Sequence, residues 1–157
     1  MLLADPDGRY FAYRRLPASG ESRLVGLHSL GVGGHLNDDH LAAPLEYAAP
    51  ELRPDPLAVG LQRELTEELV LPPTDGEPLG QMWVHGFLAL DATPVDRVHV
   101  GVVVILRVRG EYCAGCDVRE TDKLAAAGWF TPDVLRSMMS EVEFEGWSRA
   151  LIAAGLP

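Results

Sequence analysis

The segment GLQRELTEELVL, residues 60 to 71, has the periodicity of an amphipathic helix that carries three carboxylates along one edge. Successive residues of a helix turn by roughly 100°, so residues three and four apart share a face. The leucine stripe consists of Leu61, Leu65 and Leu69, and the acidic edge of Glu64, Glu67 and Glu68. The segment therefore predicts a helix with one apolar face and one acidic edge.

Residues with known positional preferences mark the ends of this helix. Asp55 fits the N-cap, because its carboxylate accepts free amide hydrogens, and Pro56 fits the first helical position, where no amide hydrogen is needed. The sequence LPPTDG, beginning at Leu71, is typical of a helix stop. We predict a helix from about residue 56 to about residue 70.

The rest of the chain alternates strand-like and helix-like segments. Branched and aromatic residues between turn signals predict strands at 9–15, 23–34, 81–91, 97–108 and 127–130. Two C-terminal segments, 132–140 and 143–154, are predicted to be helical. His85 and His99 fall within the two long strand candidates, where a core or cleft histidine is the expected role.

Composition limits the classes of protein to which the chain can belong. Its 157 residues fit one domain, 1–157, and a hydrophobic content of 47% is typical of a globular protein. A formal charge of −10 argues against a nucleic-acid polymer as partner, and no apolar run is long enough to cross a membrane. A cytoplasmic location and a small-molecule ligand are the expectations, and a homodimer is left open.

The crowded carboxylates raise the question of what compensates their charge. Like charges three and four residues apart on a helix repel by a few tenths of a kcal/mol per pair. A hard divalent cation would offset this repulsion, and Mg²⁺ or Mn²⁺ prefers carboxylate oxygens. The alternative is a solvated, glutamate-rich helix face without a ligand.

The sequence RELTEEL, residues 63 to 69, resembles the core of the Nudix hydrolase signature. The glycine pair in GVGGH, residues 31 to 35, is similar to the one that precedes the family's catalytic helix. Trp129 and Phe130 resemble the aromatic strand end before its later helix. The resemblance implies an α/β fold: a single Nudix domain, an α/β/α sandwich with a mixed β-sheet.

The chain also departs from the family pattern. Val70 replaces the glycine that follows the two glutamates, so a left-handed helix cap there would be strained. Asp55 stands for the first family glutamate, and Ala49 for the glycine before it. Residues 35–54 form an insertion before the helix, and a subset of Nudix proteins described as predicted phosphoesterases shares a GGH followed by such an insert.

The resemblance implies a Mg²⁺-dependent hydrolase that cleaves the pyrophosphate bond of a nucleoside diphosphate linked to another moiety. Glu67 and Glu68 would be metal ligands, and Glu64 a ligand or the base that activates water. Arg63 would orient a glutamate through an ion pair. A Nudix-like module that binds a nucleotide without cleaving it is the alternative function.

Further candidates surround the helix. Gly33 and Gly34 would allow close backbone approach, with the Gly34 carbonyl as a further metal ligand and Gly33 beside substrate; an ordinary tight turn is the alternative. Substrate contacts are also assigned to Arg14, His35 and Glu120. For Arg14 and Glu120, a solvated surface side chain is the competing interpretation.

Cys113 and Cys116 form a single CxxC pair. Zinc sites need further ligands, and the sequence offers no second pair with suitable spacing. Two free thiols are the favoured interpretation. An isomerase on the same fold would need a cysteine in the cleft, whereas this pair lies in a late loop.

Overall fold

The computed structural model of the chain describes residues 1–19, 22–36 and 55–157. The predicted insert therefore lies, from residue 37 on, outside the described residues. The strands are β1 Leu2–Ala4, β2 Tyr10–Arg15, β3 His28–Leu30, β4 Leu69–Val70, β5 Gly80–Ala89, β6 Val100–Val108, β7 Asp117–Val118 and β8 Leu124–Phe130. The α-helices are α1 Pro56–Glu68, α2 Gly110–Cys113, α3 Pro132–Met138 and α4 Gly146–Ala154. Short 3₁₀ turns occupy Pro17–Ser19, Ser22–Leu24 and Asp96–Val98.

Six strands form a mixed sheet in the order β3-β2-β1-β6-β5, with β8 paired to β2. Strand β1 runs parallel to β6, and the other pairs in this sheet are antiparallel. Strands β4 and β7 form a separate two-stranded ribbon. The mixed sheet predicted from the sequence is confirmed.

Alternation along the strands divides the core into two clusters, one on each face of the sheet. One cluster combines Leu2, Ala4, Tyr10, Ala12, Leu30, Val103 and Ile105 with Leu135, Phe144 and Ile152 from the α3–α4 region. The other combines Leu3, Phe11, Tyr13, Val32, Leu106, Val108 and Leu124 with Leu69 and the partly buried Leu65 of the α1 region. Neighbouring residues of one strand thus face opposite layers, as the pleat requires. The domain is an α/β/α sandwich.

Helix α1 begins as predicted and ends two residues early. The Asp55 carboxylate accepts the Leu57 amide at 3.0 Å, and Pro56 occupies the first turn. At its other end Leu69 is extended (φ −116°, ψ 147°), so the chain passes directly into β4. The absence of a glycine at Val70 is thereby explained, because this exit needs no left-handed residue.

Other boundaries differ from the sequence-based ones. The strand predicted over 23–34 is confined to His28–Leu30, since a 3₁₀ turn and Gly26 with φ +84° bend the chain before it. Strand β1 was not predicted, because three residues are too few to show alternation. His99 precedes β6 instead of lying in it, and His85 lies at a bulge of β5. A helical turn, α2, leads into the CxxC segment.

Two further expectations from the sequence concern membrane-spanning segments and the two cysteines. None of the helices in the described part of the chain is long and apolar enough to span a membrane. Cys113 and Cys116 are free thiols, as expected. Burial raises the pKa of both, that of Cys116 to about 11, so neither is an activated nucleophile.

Candidate active site

Arg63 joins two of the three glutamates on the acidic edge of α1. One of its terminal nitrogens donates to Glu64 Oε1, and the other donates to Glu67 Oε2 at 3.0 Å. The Glu64 side chain is mostly buried, with 12% exposed, whereas that of Glu67 is 55% exposed. A cationic fork therefore fixes Glu64 in place and leaves Glu67 largely in solvent.

The loop after β3 brings backbone directly against Glu64. A Cβ added to Gly34 would overlap the Glu64 carboxylate, so only glycine leaves room for both groups. A Cβ on Gly33 would meet no atom nearer than 3.9 Å. Neither of the two has a positive φ, whereas Gly31 does, at +79°. Gly34 is thus required for its close approach to Glu64, whereas Gly31 combines a positive φ with an equally close approach to the Met1 carbonyl.

Glu68 occupies the buried end of the acidic edge. The Tyr13 hydroxyl, which is on β2, donates to Glu68 Oε2 at 3.2 Å. Burial raises the pKa of Glu68 from 4.5 to about 7; the nearby Glu64 raises it further, while Arg15 and the Tyr13 hydrogen bond oppose the rise. The carboxyl is therefore poised between its neutral and charged forms near neutral pH.

The remaining sequence-predicted residues lie in different surroundings. Arg14 is exposed at the end of β2. Glu120 forms an ion pair with Lys123 at 2.5 Å and follows the segment that binds the end of α1. His35 is exposed directly after Gly34, and its ring contacts His99. The structure thus brings the helix glutamates, Arg63 and the glycine loop together, with His35 at their margin.

Comparison with known proteins gives the fold a name. No family model matches the chain. Protein YmaB of Bacillus subtilis (strain 168) is 30% identical over 142 residues, which are 90% of this chain and 62% of YmaB. The solved structure of Tm1382, "a putative Nudix hydrolase", matches with a TM-score of 0.58 and 22% identity. That match covers 98% of this chain and 65% of Tm1382.

The chain has the Nudix fold. It spans less than two thirds of the length of YmaB and of Tm1382. On this Nudix fold the helix with the RELTEEL sequence is α1, and the glycine pair of GVGGH is the loop against Glu64.

The candidate ligand atoms at this site suit a hard cation. They are carboxylate oxygens and the backbone of Gly34, the kind of ligand that Mg²⁺ prefers. Among the described residues, no three acidic, histidine or cysteine side chains converge closely enough to enclose an ion. Mg²⁺ needs only one or two protein carboxylates, because waters and phosphate oxygens complete its shell. The residues present therefore suit Mg²⁺, which would need further oxygen ligands besides these side chains.

Arg15 is a component of the site that sequence reasoning did not select. Its Nε lies 3.5 Å from Glu145 Oε2, and its charge opposes the raised pKa of Glu68. Glu145 is held in turn by the Ser148 hydroxyl, which donates at 3.1 Å. Of the two arginines that end β2, Arg15 is thus the one beside Glu68, whereas Arg14 is exposed.

The raised pKa of Glu68 predicts how the metal-free protein responds to pH. Its folded-state pKa, about 7, exceeds the unfolded value of 4.5, so the folded state binds the proton more tightly. This contribution to stability is complete below pH 4.5 and is lost as the pH rises through 7. Its full size is roughly 3 kcal/mol by proton linkage. Between pH 5 and 7, melting curves in a chelator should therefore decline more steeply for the wild type than for the Glu68→Gln variant.

Contributions from groups that do not interact with Glu68 are the same in the two proteins and cancel in this comparison. Parallel pH profiles for the wild type and Glu68→Gln would contradict the burial of this carboxyl. A profile for the variant that is flatter by several degrees in Tm would support it.

Proposed function

We propose that the chain is a Mg²⁺-dependent hydrolase that cleaves the pyrophosphate bond of a nucleoside diphosphate linked to another moiety. The proposal depends chiefly on one observation: on a Nudix fold, the Gly34 backbone lies directly against Glu64 on a helix that also carries Glu67 and Glu68. Tm1382 is described as "a putative Nudix hydrolase", which supports the general type of reaction.

Each residue has a separate part in this proposal. Glu68 and Glu67 would supply oxygens to the cation, and Glu68 would bind it in its charged form, with any proton on it passing to solvent. Arg63 holds the Glu64 carboxylate in place, so that Glu64 would serve as a further ligand or accept a proton from the attacking water. Bound Mg²⁺ would lower the pKa of a coordinated water and neutralise charge that develops on the phosphate oxygens.

The geometry also supports a substrate with adjacent phosphates. The carboxylates alone would repel a phosphate, so an anionic substrate binds here only through the cation. Arg15 lies on the sheet beside Glu68 and Glu145, which use part of its charge. A diphosphate has several charged oxygens that can bind the same ion as the helix carboxylates. An uncharged substrate has none.

The test is a hydrolysis assay on purified protein with a panel of compounds. Nucleoside diphosphate sugars, dinucleoside polyphosphates, coenzyme A and oxidised nucleoside triphosphates represent different groups attached to the diphosphate. We expect release of phosphate-bearing products from at least one class, with Mg²⁺ or Mn²⁺ and not in excess chelator. No turnover on any class, in protein that binds Mg²⁺, would overturn the proposed hydrolase.

A non-catalytic nucleotide-binding module remains the second candidate, and one observation favours it. Arg63 already compensates part of the charge of Glu64 and Glu67 without a cation. A binding module would show a nucleotide-dependent rise in Tm with no product formed, whereas the hydrolase would consume the same nucleotide.

A further inference from the structure

Two histidines from distant parts of the chain meet at the margin of the site. The Nε2 atoms of His35 and His99 are 3.1 Å apart, and the ring centroids are 5.2 Å apart with planes inclined by 60°. His35 follows Gly34, while His99 lies between a 3₁₀ turn and β6. Both rings therefore direct the same nitrogen to one point in a solvent-accessible region.

The hydrogen bonding of His99 leaves its Nε2 free to coordinate. Its Nδ1 lies 2.6 Å from the Val95 carbonyl oxygen. A carbonyl only accepts, so Nδ1 carries the hydrogen and Nε2 of the neutral ring has an unshared electron pair. Metal-binding histidines in proteins have this arrangement, with the second ring nitrogen donating to a carbonyl or carboxylate.

The turn that carries His99 is rigidly built. The Asp96 carboxylate, in a residue only 8% exposed, accepts from the Thr93 amide at 2.9 Å and from the Thr93 hydroxyl at 2.7 Å. The His99 amide donates to the Asp96 carbonyl at 3.2 Å. Both the backbone and the ring of His99 are thus fixed before any ligand arrives, which lowers the entropic cost of binding one.

We propose that His35 and His99 form a binding site for a borderline divalent cation such as Zn²⁺, separate from the carboxylates of α1. Two imidazole nitrogens on one tetrahedral zinc, each 2.0–2.1 Å from the ion, lie about 3.3 Å apart. The observed distance of 3.1 Å between the two Nε2 atoms would therefore have to increase only slightly. Imidazole nitrogen selects zinc, cobalt, nickel or copper over Mg²⁺, which prefers oxygen.

The two histidines leave coordination positions for other groups. A zinc ion held by two side chains has two open positions for water or for an oxygen of an anionic ligand. The formal charge of −10 also raises the local concentration of cations around the protein. Because the ligands are nitrogen atoms, millimolar Mg²⁺ should not compete for this site.

The same geometry is also satisfied by a direct hydrogen bond, in which His35 Nε2–H donates to His99 Nε2. In that case the pair holds a proton and not a metal ion. The two arrangements make opposite predictions for zinc binding, so one titration distinguishes them.

The experiment is calorimetric titration of purified protein with ZnCl₂ in millimolar MgCl₂, accompanied by Co²⁺ absorption spectra. Wild type should bind about one zinc per chain, and Co²⁺ should produce visible bands of nitrogen coordination. His35→Gln and His99→Gln should each weaken zinc binding by at least about tenfold. His85→Gln removes an exposed imidazole from β5 and is the matched control, which should bind zinc like the wild type.

Circular dichroism of each variant checks that the fold is retained, and a Glu68→Gln protein should keep the zinc site. The proposal would be overturned if wild type bound no zinc under these conditions, because the pair would then be a hydrogen bond only. Zinc binding that survives in both His35→Gln and His99→Gln would overturn it equally, since the ion would lie elsewhere. This outcome is independent of whether the protein hydrolyses a nucleotide.

Discussion

Replacing Glu68 with glutamine should abolish Mg²⁺-dependent hydrolysis while the fold is retained. The amide keeps the shape of the side chain and can still accept the hydrogen bond from Tyr13, but it has no negative charge to offer a cation. We expect kcat/KM to fall by at least about a hundredfold, a loss that even an outer-shell partner of a metal site can cause. Initial rates on the best substrate of the panel measure this directly.

The same variant should also lose the metal-dependent rise in Tm. In the wild type, Mg²⁺ that binds only the native state raises Tm as its concentration increases. The effect should fade below pH 7, because the proton on Glu68 then competes with the cation. Glu141→Gln, an exposed glutamate at the end of the α3 segment, is the matched control and should behave like the wild type. Wild-type turnover in Glu68→Gln would remove the assignment of this carboxylate.

The second large effect is expected for Gly34→Ala. Its backbone does not have a positive φ, so alanine is not strained there by its own conformation. The added methyl group would instead overlap the Glu64 carboxylate, which must leave its position beside Arg63. Overpacking costs about 1–3 kcal/mol, and the low end is expected here because the obstructing atoms are the end of a flexible side chain; displacement of Glu64 should lower kcat by roughly tenfold or more.

Gly33→Ala is an internal control for this substitution. It changes the neighbouring glycine by the same methyl group, yet the new Cβ would have no atom within 3.9 Å. Thermal unfolding should therefore separate the two variants, with Gly33→Ala close to the wild type. If both alanine variants lost the same stability and activity, the contact between Gly34 and Glu64 would not be the cause.

The sequence predicted the central parts of the site because these depend on local patterns. Helix periodicity located α1 and its acidic edge, and the Asp55–Pro56 pair located its start. The end of the helix at Leu69 was harder to predict, because it depends on tertiary contacts. The Arg119 amide donates to the Glu68 carbonyl at 2.8 Å, and Arg119 Nε donates to the Leu69 carbonyl at 3.1 Å. No local pattern near residue 70 contains that information.

The surroundings of Glu68 could not be predicted from the sequence either. Burial in the packed structure raises its pKa, and the two groups that oppose this rise, Arg15 and the Tyr13 hydroxyl, are more than fifty residues away along the chain. The meeting of His35 with His99 is equally non-local, with a sequence separation of 64. Spacing within a helix reveals which carboxylates are neighbours, but only the packed sheet shows which of them lose contact with water.

The parallel pairing of β1 with β6 has a consequence for folding during synthesis on the ribosome. Leu2 pairs with Ile105 and Ala4 with Arg107, so about a hundred further residues must be synthesised before β1 can pair with β6. Strand β2 can pair with β8 only later still, because its Tyr10 pairs with Phe130. Contacts of such high sequence separation slow folding and leave apolar surface exposed in the meantime. The leucine stripe of α1 therefore emerges before the sheet that covers it is complete, and this interval is when a nascent chain would be most prone to aggregate.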